Sequence, residues 1–235
     1  MHIPDGFLSN QVNLSFIAGS IFVGSFALKK VKDSLFCKTK VFSGQLATNV
    51  GLNIDQGQLN FSLQDQANKK IQKMALIAAF IFAAQMINFP VGNGTSGHLI
   101  GGVLASVILG PWAGMLMVSA VLAVQALVFG DGGIIVMGAN IFNMGIVAAV
   151  GGYYIYFFLN KLTKNKYLPI FFASFFSVLL AAISCSIQLA LAGTIKLSLV
   201  MPNMVSIHIL IGLGEALITI LAIKFLFKEL YEQEK

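Results

Sequence analysis

Residues 205–227 read VSIHILIGLGEALITILAIKFLF, an apolar run in which only His208, Glu215 and Lys224 can carry a charge. A helix needs about 20 consecutive apolar residues to cross the hydrocarbon core of a bilayer. The run has that length. It therefore predicts a membrane-spanning helix close to the carboxyl end of the chain.

The composition of the whole chain predicts the same class of protein. Its 235 residues are 57% hydrophobic and 10% charged, with a mean hydropathy of +0.84. Soluble domains carry about 25% charged residues. The length suits one helical bundle. We therefore predict an all-α integral membrane protein in which residues 1–235 form a single transmembrane domain.

Six more apolar runs precede residues 205–227, which gives about seven transmembrane helices in one bundle. The second and third runs are shorter than a typical span and flank the stretch NFPVGNGTSGH at 88–98. Short segments beside a glycine-rich stretch are a sequence feature of transporter binding sites. The six runs cover approximately residues 8–28, 74–88, 98–110, 112–129, 136–159 and 168–193.

The lysines predict how the bundle is oriented. The formal net charge is +6 and all 15 basic residues are lysines, placed between the apolar runs rather than in a nucleic-acid-binding cluster. Loops on the cytoplasmic side of a membrane carry an excess of lysine and arginine. With the amino terminus outside and the carboxyl terminus inside, 14 lysines lie inside and only Lys196 lies outside. We therefore predict a multi-pass protein of the cell membrane with this orientation.

The segment 33–70 differs from the rest of the chain because it is long and polar. It is rich in glutamine, asparagine and serine. The predicted orientation places it on the cytoplasmic side, where we predict a long polar loop that forms a flexible insertion.

The first two residues offer an unusual set of metal donors. Histidine is not a small residue, so we expect Met1 to be retained. The Met1 amine, the His2 backbone nitrogen and His2 Nδ1 can then close fused five- and six-membered rings around one ion. A fourth nitrogen would complete a square plane, which favours Ni(II) or Cu(II) over hard cations. Pro4, Asp5 and Gly6 are turn-forming residues that could fold this end back onto the bundle.

His98 is the candidate for the fourth nitrogen. It ends the GTSGH stretch and lies, in the predicted orientation, on the same outer side as His2. The alternative is a histidine that caps the start of the third helix. Asp131, in the FGDGG stretch, is interpreted as an ordinary turn residue.

Several polar residues in or near the spans are candidates for supporting roles around a metal. His208 and Glu215 lie two turns apart on one helix face, too far apart to bond each other directly. They could orient the site or lock helix packing. Asn88, Asn140 and Asn143 could likewise support the site or bridge helices. Ala75, Ala79 and Ala83 recur every four residues and form a smooth helix face, for packing within the bundle or for docking another membrane subunit.

Two alternative functions would each require features that the sequence does not show. An intramembrane enzyme centred on His208 and Glu215 would need a nucleophile or a complete metal site, and no such motif occurs. A stand-alone cation permease would need a continuous polar path, which the few polar residues in the spans argue against. The sequence contains neither a phosphate-binding G-x-x-x-x-G-K-[ST] motif nor HExxH. Any ATP-driven transport therefore needs separate ATPases.

The chain resembles the substrate-binding membrane subunits of nickel/cobalt energy-coupling-factor transporters. The similarity covers nearly the whole chain outside 33–70, a segment longer than the family leads us to expect. It rests on MHIPDGFL (1–8), FAAQMINFPVGNGTSGHLIGG (82–102), LGPWAG (109–114), VQALVFGDGGIIVMGANIFNMG (124–145) and HILIGLGEALIT (208–219).

The resemblance implies a metal-capturing subunit that is not itself an enzyme and has no cofactor. It implies Met1, His2 and His98 as ligands of Ni(II) or Co(II) from outside the cell, with nickel slightly favoured by PDG after MHI. It also implies partners: a transmembrane coupling subunit, cytoplasmic ATPases and a small accessory membrane subunit. The face of Ala75, Ala79 and Ala83 matches by its spacing the face that contacts the coupling subunit.

Overall fold

The structure is a computed structural model. It describes the backbone of residues 1–49, 56–91 and 95–233, and the side chains of residues 1–34, 67–89, 91 and 96–232.

Helices make up most of the described chain, and three of them continue directly into π-helical turns. The π-helical stretches are Gln125–Phe129 after α4, Phe142–Gly151 between α5 and α6, and Ala222–Leu226 after α8. The α-helices are α1 (Asn10–Asn49), α2 (Gln56–Gln85), α3 (Gly102–Leu109), α4 (Pro111–Val124), α5 (Met137–Ile141), α6 (Gly152–Leu162), α7 (Leu168–Leu191), α8 (Leu197–Leu221) and α9 (Lys228–Gln233).

Five segments of the described chain are long and apolar enough to cross a membrane. They are Asn10–Ser34, Pro111–Phe129, Met137–Leu162, Leu168–Leu191 and Leu197–Leu226. The prediction of a helical membrane protein is therefore confirmed. The second and third predicted spans fall on the carboxyl half of α2 and on α3, which do not meet the same criterion.

The short third span has a clear place in the fold. All eight residues of α3 are buried, and the helix packs against α4, α6 and α7. A helix that is hydrophobic on every side is buried in the core. Helix α3 therefore lies inside the bundle, directly after His98.

The segment 33–70 is helical over much of its length, whereas we predicted a loop. Helix α1 continues to Asn49, and α2 already begins at Gln56. The segment contains no proline, the residue that most strongly disrupts a helix interior. Residues 50–55 lie outside the described residues, and the flexibility of the insertion stays a prediction.

A two-stranded antiparallel sheet also departs from the all-α prediction. Strand β1 (Asn88–Val91) pairs with β2 (Thr95–His98), with Asn88 opposite His98 and Val91 opposite Thr95. Each strand has only four residues, so neither shows the alternation of apolar and polar residues that predicts a strand. The hairpin places His98 at the start of the connection to α3.

Glycines allow the helices of the bundle to approach closely. A Cβ atom at Gly114 in α4 would lie 2.6 Å from the backbone Cα of Ser106 in α3, and one at Gly138 in α5 would lie 2.7 Å from the Cα of Ile17 in α1. Small residues at helix contacts are typical of membrane bundles, where packing rather than the hydrophobic effect drives association.

We predict that Gly114→Ala lowers the stability of the bundle. The added methyl group meets backbone atoms, which cannot rotate away, and overpacking of this kind costs about 1–3 kcal/mol. Gly24→Ala in α1 is the matched control, because no described atom beyond its own helical turns would lie within 4 Å of its Cβ. Thermal unfolding of the detergent-solubilised proteins tests this. Equal midpoints for the two variants would contradict the close approach of α3 and α4.

Candidate metal site

The amino-terminal segment is buried inside the bundle. Met1 and Ile3 have no exposed surface, and His2 is 3% exposed. The predicted turn forms: Phe7 N–H donates to the Pro4 carbonyl at 3.3 Å, and Gly6 adopts a left-handed φ of 86°. A left-handed φ favours glycine because other residues carry a Cβ. This turn reverses the chain between the buried end and α1.

Hydrogen bonds on both sides of Ile3 hold this segment in place. Ile3 N–H donates to Asn140 Oδ1 at 2.9 Å, and Asn140 Nδ2 donates back to the Ile3 carbonyl at 3.2 Å. The Ile3 carbonyl also accepts the Gly133 N–H at 3.1 Å. Asn140, a candidate supporting residue from the sequence, therefore contacts the residue next to His2.

The predicted ligands Met1, His2 and His98 come together in the structure. The rings of His2 and His98 stack with their centroids 4.6 Å apart and their planes 27° apart. The Met1 amine donates a hydrogen bond to the Ser96 carbonyl, in the strand that ends at His98. The two parts of the chain that the sequence singled out thus share one buried place.

The contact of His98 with the Leu99 carbonyl decides which nitrogen of the His98 ring is free. His98 Nδ1 lies 2.6 Å from the Leu99 carbonyl, which can only accept, so Nδ1 carries the proton. His98 Nε2 then keeps its lone pair, and it is buried without a hydrogen-bond partner among the described residues. His2 Nδ1 faces Gly132, where a Cβ atom would lie only 2.6 Å away.

Burial keeps the first two nitrogen groups uncharged. Loss of solvation lowers the pKa of the Met1 amine to about 5. The same cause, reinforced by the positive amine, lowers the pKa of the His2 imidazole to about 3. Both groups are therefore neutral at pH 7 and present lone pairs. Neutral nitrogens can bind a metal ion without first releasing a proton.

Two further side chains, those of Asp131 and Gln125, lie near His2. Asp131 Oδ2 lies 3.8 Å from His2 Nε2, although we interpreted Asp131 as an ordinary turn residue. The Gln125 side chain is directed towards His2 without completing a hydrogen bond of good geometry. The glycines around Asp131 were the available signal, because a glycine-rich turn allows close backbone approach.

Side chains alone do not form a metal site here. Nowhere in the described part of the chain do three or more His, Cys, Asp or Glu side chains gather in a way that could hold a metal ion. Nitrogens of the backbone and of the terminal amine are further donor groups that lie near His2 and His98. The Met1 amine is in the right place to be one of them.

Glu215 supports the backbone that follows His98. Its two carboxylate oxygens accept the N–H groups of Ile100 at 2.9 Å and Gly101 at 2.7 Å. Gln85 Nε2 donates to the Ile100 carbonyl at 2.7 Å from the other side. Side chains from α8 and α2 thus fix the connection between His98 and α3.

His208 lies on the same helix as Glu215 but makes different contacts. Its Nδ1 lies 2.6 Å from the Met204 carbonyl, one turn earlier in α8. Its Nε2 is buried without a hydrogen-bond partner in the part of the chain that is described. A Cβ on Gly97 would lie 3.5 Å from His208 Cε1, so the His208 ring lies beside the strand that carries His98.

The remaining candidates have distinct places. Asn143 is hydrogen-bonded to Gln188, at 2.9 Å and 2.7 Å, and accepts from Ser184 at 2.7 Å, so it bridges two helices. Asn88 is exposed and is the backbone register partner of His98. The side chains of Ala75, Ala79 and Ala83 are all exposed on α2.

Comparison with known proteins identifies a family. The family model described as the cobalt uptake substrate-specific transmembrane region, CbiM, matches residues 57–230. A putative fused nickel transport protein NikMN of Archaeoglobus fulgidus is 36% identical over 93% of this chain and 63% of its own length. A putative metal transport protein of Haloquadratum walsbyi is 31% identical, over 93% of this chain and 86% of its own. The chain thus spans less than two thirds of the fused relative.

Solved structures agree with these relatives. A crystal structure of a transition metal transporter aligns with a TM-score of 0.78 and 32% identity, covering 97% of this chain and 93% of the other. A truncated transition metal transporter aligns with a TM-score of 0.79 and 31% identity, covering 97% and 99%.

We predict that Glu215→Ala lowers the free energy of unfolding by about 3 kcal/mol. The change leaves two buried N–H groups without acceptors, and each unsatisfied group costs about 1–3 kcal/mol. Glu215→Gln keeps one oxygen acceptor and should lose less.

Glu232→Ala is the control for this prediction. Glu232 is 53% exposed and lies 3.8 Å from Lys166, and an exposed ion pair contributes little to stability. Thermal unfolding in detergent compares the variants. If Glu215→Ala and Glu232→Ala unfold at the same temperature, Glu215 does not hold the connection to α3.

Proposed function

We propose that this chain captures Ni(II) or Co(II) for uptake, because it belongs to the family of cobalt uptake substrate-specific transmembrane regions. The substrate ion binds at the amino-terminal segment, on the outer side of the membrane. The observation that carries the proposal is the burial of the Met1 amine and His2 beside His98. The amine and His2 are uncharged at pH 7, and His98 Nε2 has no hydrogen-bond partner among the residues that the structure describes.

Four nitrogens are proposed to hold the ion. Met1 supplies its neutral amine, and His2 supplies Nδ1 and its backbone nitrogen, which must release its amide proton to solvent as the ion binds. His98 supplies Nε2, the nitrogen that its hydrogen bond to Leu99 leaves free. Gly132 provides the room beside His2 Nδ1. A square plane of nitrogens suits Ni(II) and Cu(II) better than hard cations. We therefore favour nickel slightly over cobalt.

The proposed orientation has the amino terminus outside and the carboxyl terminus inside the cell membrane. It rests on the distribution of the lysines, 14 of which then face the cytoplasm. Seven helices are proposed to make up the single transmembrane domain of residues 1–235. The five long spans are joined by the apolar half of α2 and by the buried α3.

Transport is proposed to depend on separate subunits. The sequence has no phosphate-binding loop for ATP hydrolysis. We propose cytoplasmic ATPases, a transmembrane coupling subunit and a small accessory membrane subunit as partners. The exposed face of Ala75, Ala79 and Ala83 has the small side chains that let a partner helix approach closely.

The two alternative functions receive no support from the contacts of His208 and Glu215. Both Glu215 oxygens accept backbone N–H groups, and His208 Nδ1 is engaged with the Met204 carbonyl. An enzyme centred on this pair would lack a free carboxylate. A stand-alone permease would need a continuous polar path, and the contacts of these two residues with backbone groups give no indication of one.

The dipeptide Gly-Pro added before Met1 should weaken Ni(II) binding by roughly 100-fold or more, about 2.7 kcal/mol or more. The extension turns the Met1 nitrogen into an amide, and the proline nitrogen has no amide proton to release, so no unbroken series of chelating nitrogens links the new amine to His2. Calorimetric titration of untagged protein, with the terminus verified by intact mass, measures the change. One glycine added after Lys235 is the matched control. Unchanged affinity of the amino-terminal variant would exclude the terminal amine as a ligand.

His98→Ala should also bind Ni(II) far more weakly, by roughly 100-fold, because one of four donors is lost. His208→Ala should lose less, because the His208 ring lies behind Gly97 and is not proposed as a ligand. The same titration compares them. A dissociation constant of His98→Ala close to that of the unchanged protein would remove His98 from the ligand set.

A further inference from the structure

Asp5 makes an unusual set of contacts for a residue in an exposed turn. Its carboxylate accepts three backbone N–H groups, from Ile134 at 3.1 Å, Ile135 at 2.9 Å and Val136 at 3.3 Å. These residues immediately precede the long helical segment 137–162. The first N–H groups of a helix have no acceptor within the helix, and a negative charge is favourable there.

The turn that Asp5 contacts is shaped to receive it. A Cβ atom at Gly133 would lie 2.1 Å from Asp5 Oδ1 and 2.5 Å from the Asp5 backbone nitrogen. The Gly133 N–H also donates to the Ile3 carbonyl. Only glycine at position 133 therefore lets the amino-terminal segment lie against this turn at two points.

The contacts of Asp5 and Ile3 enclose the region of the proposed ligands. Ile3 is fixed by Asn140, and His2 precedes Ile3 directly. Gly6 follows Asp5 and turns the chain towards α1 with its left-handed φ. Asp5 is thus the last fixed point before the chain reverses.

We propose that Asp5 is a positioning residue that holds the Met1 amine and the His2 nitrogens in their metal-binding geometry. We call the contacts of Asp5 with residues 133–136 the latch. The proposal rests on the proposed function, because it assumes that Met1 and His2 bind the metal. Asp5 does not touch the ion. It acts by fixing the amino-terminal segment to residues 133–136, so that the amine and the His2 nitrogens are held beside His98 before the metal arrives.

Loss of the latch should weaken metal binding without abolishing it. The bonds between Ile3 and Asn140 remain, so the donors still reach the site but are held at fewer points. Residues that orient metal ligands typically contribute about 10- to 100-fold to metal affinity. We expect a loss of this size, expressed mainly as faster release of the ion.

Asp5→Asn is the first test, with Ni(II) as the probe. Asparagine keeps the size of the side chain but replaces one acceptor oxygen with an NH2 group, which would face a backbone N–H. Asp33→Asn removes the same charge from an exposed position of α1 and is the matched control. The expected result is a 10- to 100-fold higher dissociation constant for Asp5→Asn and no change for Asp33→Asn. Equal dissociation constants for the two variants overturn the proposal.

Gly133→Ala breaks the same latch from its other side and leaves every carboxylate in place. Its backbone φ is ordinary, so the added methyl group acts through its clash with Asp5. Gly24→Ala is the control, because no other described part of the chain comes within 4 Å of its Cβ. The expected loss of affinity resembles that of Asp5→Asn. A Gly133→Ala protein that folds and binds Ni(II) as tightly as Gly24→Ala overturns the proposal even where Asp5→Asn fails to fold.

Spectra separate positioning from simple destabilisation. Because the ligands are unchanged, Asp5→Asn saturated with Ni(II) should have the visible absorption spectrum of the unchanged protein, together with a faster release of the ion to a chelator. A lower unfolding temperature with an unchanged release rate would indicate a structural role only and overturn the proposal.

If Asp5→Asn binds Ni(II) as tightly as the unchanged protein while His98→Ala does not, only the proposed role of Asp5 is wrong. If the unchanged protein does not bind Ni(II), the proposed function fails and the latch fails with it.

Discussion

The burial of the amino-terminal segment against His98 is the interaction on which the functional account depends. Placing a free amine and two imidazoles out of water is costly if they are charged. The burial is tolerable because these groups are neutral, as the lowered pKa values of the Met1 amine and His2 indicate. The neutral amine and imidazoles present nitrogen lone pairs with few partners among the described residues. We therefore propose a transition-metal ion as their ligand.

This arrangement needs three distant parts of the chain to meet. The amino-terminal segment brings Met1 and His2, and the hairpin brings His98. The turn before α5 supplies the surface that Ile3 and Asp5 contact. Glu215 and Gln85 fix the connection after His98 from two different helices. The geometry of the proposed site therefore depends on helix packing. A change in the packing of α2 or α8 would shift His98 through the contacts of Gln85 and Glu215.

Part of this arrangement could be predicted from the sequence. The apolar runs predict the membrane helices, because period and length are properties of local sequence. The meeting of His2 and His98 was predicted from topology alone, since the lysines place both on one side. The hairpin was not predicted, because strands of four residues are too short to show an alternation of apolar and polar residues. The helical extensions into 33–70 were not predicted either, because the polar composition of this segment resembles that of a loop.

The hydrogen-bond partners of individual side chains could not be predicted from the sequence. Nothing near Glu215 indicates that it accepts the N–H groups of Ile100 and Gly101, and nothing near Asp5 indicates the turn at 134–136. Asp131 was interpreted as a turn residue for the same reason. Such contacts are decided by tertiary packing, and the glycines at 132 and 133 were the only local sign that another part of the chain approaches closely.

X-ray absorption spectroscopy of the untagged protein, loaded with one equivalent of Ni(II), tests the central claim most directly. The account predicts a four-coordinate ion surrounded only by nitrogen, with the outer-shell scattering of two imidazole rings. A six-coordinate ion surrounded by oxygen, or a sulfur ligand, would contradict the assignment of the Met1 amine, His2 and His98 as the site.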